Sequence, residues 1–102
     1  MKKAILNLVI NEVRKNKAFR VILIKAIINY LNMNQEGASA EFKEKERDSF
    51  YHTIMLLEDI CEYIDFDNLT FDIRNYFIDN DQEVNDKTLI EALTSIFNSI
   101  EE

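Results

Sequence analysis

The sequence predicts an all-α fold, a compact bundle of about five helices around a buried central helix at residues 18–33. Three observations predict it. The 102-residue chain has no Pro and one Gly, so it lacks the turn residues that a strand-rich domain needs. Its apolar residues recur at helical spacing in every long segment. The stretch Ala18–Met33, AFRVILIKAIINYLNM, is apolar on nearly every side when wound at about 100° per residue.

That stretch is the hub. Val21, Ile22, Leu23, Ile24, Ala26, Ile27, Ile28, Tyr30 and Leu31 leave a thin polar seam at Lys25, Asn29 and Asn32. A helix apolar nearly all round is a buried one. Its β-branched residues also suit a strand, but the run passes strand length without a turn signal. Arg20 and Lys25 interrupt it before it reaches the ~18 apolar residues of a membrane span.

Before it, Lys2–Asn16 reads as a helix. Ile5, Leu6, Val9, Ile10 and Val13 fall within an arc of about 140°, a core-facing stripe, with Leu8 outside it. Arg14, Lys15 and Lys17 place cations at its C-terminal end, where they favour the dipole. The residues between this helix and the next are compatible with either a tight turn or a kink. The opening MKKAILNLVI has the flavour of a secretory leader, but it meets Asn11 and Glu12 without a small-residue cleavage site and is expected to be mature protein.

Asn34–Ala38 is the clear break, with Gly37 closing the central helix and Ser39 placed to cap the next. That third helix is expected from about Ala40 to Ile64. Its first half is nearly all charge around Phe42; its second carries Phe50, Ile54, Leu57, Cys61 and Ile64 at the 4, 3, 4, 3 spacing of a heptad seam, flanked by Leu56 and Ile60. Asp65–Thr70 is a polar joint in which Asp67 or Thr70 caps a fourth helix built on Leu69, Ile73, Tyr76 and Phe77. Residues 64–73 also alternate in polarity, so a short hairpin is the alternative there. After an acidic loop at Asp79–Asp86, Thr88 and Glu91 form a capping box for a fifth helix along Leu89, Leu93, Ile96 and Ile100. No repeat or linker interrupts residues 1–102, which read as a single helical domain.

Charge is unevenly placed. Residues 1–25 carry a net +6 and the remainder −13, for −7 in all. Such asymmetry belongs to a nucleic-acid arm, to an acidic surface for a basic partner, or to basic and acidic helices packed on each other. One cysteine, Cys61, excludes an internal disulfide and fits a reducing, cytoplasmic setting. The frequent Ile, Asn and Lys suggest AT-rich coding DNA, as in low-GC bacteria or their phages and mobile elements.

Few residues have the makings of a reactive site. Cys61 and His52 are nine apart, which on one helix points them to opposite faces; Cys61 belongs to the seam and His52 to the surface. Together they are too few for zinc. Asp79, Asp81 and Glu83 resemble the start of a calcium loop, but the sharp turn that needs Gly falls on Val84 and the bidentate Glu position on Ile90. Glu58, Asp59, Glu62, Asp65 and Asp67 form an acidic run opposite the seam, on a wet face rather than in a cleft that shifts carboxylate pKa values. Phosphate loops and nucleophile elbows are missing. No catalytic, cofactor or metal residue is therefore assigned, and no enzyme is expected.

The expected function is a non-enzymatic protein-binding module, a small acidic inhibitor or regulator whose partner has a basic surface. Its expected contacts are Glu58, Asp59, Glu62, Asp65, Asp67, Asp79, Asp81 and Glu83. One alternative is a nucleic-acid-associated regulator, with Arg14, Lys15, Lys17 and Arg20 on phosphate. Another is an immunity or antitoxin protein of bundle type. An apparent surplus of exposed aromatics (Tyr51, Tyr63, Phe66, Phe71, Tyr76) makes a homodimer a further expectation. No membrane association is expected.

Overall fold

In the computed structural model, which describes residues 2–101, five helices follow one another: α1 (Lys3–Lys15), α2 (Lys17–Met33), α3 (Ala40–Ile60), α4 (Phe66–Asn80) and α5 (Asp86–Ser99). Among the described residues there is no strand, and no helix is long and apolar enough to cross a membrane. The hairpin alternative at residues 64–73 is not taken.

Helix α2 is the hub, the one helix that contacts all four others. Phe19, Leu23, Ala26 and Ile27 are fully enclosed, and Phe19 meets Phe66 of α4 with ring centroids 6.1 Å apart. The all-round burial expected of α2 is not reached, because Val21 and Ile28 remain exposed. Four helices surround the central one incompletely, and its remaining strip faces water.

The α2–α3 pair is antiparallel and joined by a polar clasp. Asn29 and Asn32 each donate to the Glu46 carboxylate at 2.9 and 2.6 Å. Lys25 donates to the Ser49 hydroxyl, which donates to Asn29. The polar seam of the central helix is thus the strip against the charged half of α3. Farther along, the Tyr30 ring meets Phe50 edge-on at 4.8 Å and lies 4.8 Å from the Arg74 guanidinium of α4.

Several boundaries differ from the sequence expectation. Helices α1 and α2 are separate, broken at Asn16, whose backbone is extended and whose side chain accepts from the Phe19 amide. Ser39 caps α3 as expected, but α3 ends at Ile60; Cys61 is an extended cap residue, and the seam reaches Ile64 through a turn. Asp65, not Asp67 or Thr70, caps α4. Asn85 caps α5 in a reciprocal box with Thr88, which sits three residues inside and so cannot be the cap itself. Gly37, at φ +81°, lies in the turn beyond α2 rather than at its end, and Asp81 holds the left-handed position after α4 at φ 48°. At the starts of α4 and α5, a polar side chain upstream of the expected cap, Asp65 or Asn85, reaches the free amides first.

Candidate functional site

Helix α3 lies at the edge of the bundle and contacts only α2 and α4. It buries Phe50, Thr53, Ile54 and Leu57, and everything else on its second half faces outward. At about 100° per residue, His52, Met55, Leu56 and Asp59 fall on one stripe about 100° wide. They line a shallow groove of about 290 Å³. Met55 is 62% and Leu56 54% exposed, and Tyr51 and Ile60 on the flanks of the stripe are also exposed. Asp59 stands on the same stripe, Glu58 on its flank, and Glu62 in the turn after α3, all three exposed.

Large apolar side chains exposed together on one helix face are more than scattered single surface residues. Beyond α3, in a separate hollow with Ile5, Asp65 and Asn68, the Tyr63 phenol is held above its ordinary pKa of 10.0, first by loss of hydration and then by hydrogen bonding to Cys61. Met55 escapes sequence reasoning altogether, and Leu56 and Ile60 are read there as flanks of the buried seam. The available signal was the excess of apolar residues in Phe50–Cys61 over what one seam can bury.

The eight carboxylates expected to act together are all exposed, but they fall into two groups. Asp65 and Asp67 open α4 beside the end of α3, whereas Asp79 closes α4 and Asp81 and Glu83 follow it. The 15 residues of α4 separate the groups by roughly 20 Å at 1.5 Å per residue. Asp79 instead lines a groove between α4 and α5 with Asp72, Tyr76 and Ser95, floored by Leu69, Ile96 and Ile100. No three His, Cys, Asp or Glu side chains among the described residues are placed to share a metal ion.

Of the basic corner, Arg14, Lys15 and Lys17 are exposed. Arg20 is half-enclosed: it donates to the Val13 carbonyl at 2.8 Å and pairs with Asp86 at 3.3 Å. Lys15 lies 3.8 Å from Glu12. Cys61 is buried and His52 exposed, so thiol and imidazole do not meet. Of the aromatics expected outside, Phe66 is buried at the centre, where Phe19 needs a partner ring, and Tyr76 is half-buried.

Comparison with protein-family models, with curated proteins and with solved structures finds no match.

Proposed function

We propose that this chain is a non-enzymatic protein-binding module, a small acidic regulator or inhibitor in the cytoplasm, working through the outer face of α3. The observation that carries this reading is the exposed stripe itself. Tyr51, Met55, Leu56 and Ile60 are 43–62% exposed on one helix, beside the carboxylates of Glu58, Asp59 and Glu62. Large apolar side chains gathered on a wet helix face, with Asp59 and His52 between them and further carboxylates nearby, match an interface patch of apolar and polar contacts. The partner is a protein presenting an apolar strip bordered by Lys or Arg. The basic corner of α1 and α2 supports a nucleic-acid reading less well, because Arg20 is already committed to Val13 and Asp86.

The test is affinity capture from a lysate of the encoding cells at low and raised salt, with nuclease treatment in parallel. A nuclease-resistant protein partner is expected. It should weaken with salt, and be lost with Leu56→Glu or with Glu58, Asp59 and Glu62 all changed to Lys. Retention of the same partner by both variants would sink the reading. Captured nucleic acid that nuclease removes would transfer the function to Arg14, Lys15 and Lys17.

A further inference from the structure

The groove on α3 is lined by His52, Met55, Leu56 and Asp59, an order that is self-complementary: imidazole, two apolar side chains, carboxylate, at intervals of three, one and three. We propose that a second copy of this chain occupies the stripe, its α3 antiparallel to the first, with a twofold axis between Met55 and Leu56. The inference rests on the reading of this face as a protein-binding surface and names its first occupant.

The geometry follows from symmetry. In an antiparallel pair centred between Met55 and Leu56, His52 of each copy faces Asp59 of the other, so the one complementary contact occurs twice. Met55 and Leu56 of both copies meet around the axis and close the apolar strip. Tyr51 of each copy lies on the flank that carries Glu58 and Glu62 of the other, which sets a phenol donor beside carboxylates. The parallel arrangement stacks Asp59 on Asp59 and is excluded by like-charge repulsion. Two chains of net charge −7 repel at many orientations, and a contact centred on the apolar strip with each imidazole facing a carboxylate sets no carboxylate directly against another. The α2–α3 register adds apolar area. With Lys25 opposite Ser49 and Asn29 opposite Glu46, Val21 lies one turn farther along, level with His52 and Leu56, and it is 52% exposed.

Self-association on this face also masks it, so an outside partner competes with the dimer. The test is sedimentation equilibrium of the full chain from micromolar to millimolar concentration, alongside the capture experiment. The wild type is expected to be a monomer–dimer system, and Leu56→Glu a monomer with unchanged helical circular dichroism, since Leu56 is 54% exposed. His52→Asp sets two carboxylate pairs face to face and should raise the dimer dissociation constant at least about tenfold. Adding Asp59→His to that variant swaps the pair and should recover most of the loss, which a merely hydrophobic contact would not do.

Monomeric wild type at every concentration overturns the proposal, as does a dimer indifferent to Leu56→Glu or a swap without recovery. A monomer that still captures an outside partner through Leu56 removes the dimer and leaves the binding-module reading standing. A dimer dissolved by Leu56→Glu, with no outside partner captured, does the reverse.

Discussion

At the residue scale, the most consequential side chain outside the apolar core is Asn29. It is 5% exposed on the hub helix, and its amide and carbonyl are both used, toward Glu46 and Ser49. A buried amide in that position is tolerated because the partner helix answers it on each side. Asn29→Ala leaves the Glu46 carboxylate with the Asn32 donor alone at a half-buried site. The expected loss is about 1–3 kcal/mol in urea unfolding, the cost of removing one partner of a buried, charge-assisted hydrogen bond. A change under a few tenths would mean that water replaces the amide there. Thr70, by contrast, hides its hydroxyl on its own helix by donating to the Phe66 carbonyl at 2.7 Å, a local solution with no interhelical consequence.

At the scale of the element, the starts of α2 to α5 are each held by one short polar side chain: Asn16, Ser39, Asp65 and Asn85 accept from the amide three residues on, whereas α1 begins after Lys2 with no side-chain cap. Asn16 does more than the others. It caps α2, and its side-chain amide also donates to Glu12 of α1 at 2.9 Å, so one residue fixes the angle between two helices. Asn16→Ala is expected to cost about 1–2 kcal/mol by thermal or urea unfolding, at the upper end for a lost cap. If it costs no more than Ser39→Ala, the bridge to Glu12 contributes nothing. At the other end of α4, Asp81 takes the left-handed conformation that glycine adopts without penalty. Asp81→Gly should therefore be neutral or stabilising by up to about 1 kcal/mol, the relief of an unfavourable left-handed residue set against glycine's extra freedom when unfolded.

At the scale of the whole molecule, the bundle divides into a closed interior and a surface on which the outer face of α3 gathers Met55, Leu56 and Ile60. Phe19 and Phe66 sit at its centre, each at most 1% exposed. Phe19→Ala removes a fully enclosed ring and its aromatic partner contact, about 3–5 kcal/mol. Set against the ~5–15 kcal/mol by which a domain is stable at all, that change should lower the melting temperature by more than about ten degrees by circular dichroism. Leu56→Glu on the outer face of α3 should leave the melting temperature within a few degrees of wild type, because its side chain touches water already. The contrast between these two variants separates residues that make the fold from residues that use it. A destabilised Leu56→Glu would place that side chain in the core and remove the basis of the binding face.

The sequence by itself determined the helical class, the hub at residues 18–33, the seam from Phe50 to Ile64 and the buried state of Cys61. All of these follow from periodicity, which depends only on neighbours along the chain. It determined cap positions less well, since several polar residues stand near each helix start and which one reaches the free amides depends on the angle at which the chain enters. Only the tertiary structure decided that α3 lies at the edge. That placement turns Met55, Leu56 and Ile60 outward, splits the expected acidic surface between the two ends of α4, and draws Arg20 inward onto Val13 and Asp86. Periodicity shows how many faces of a helix are apolar, but which face is covered depends on where the other helices stop.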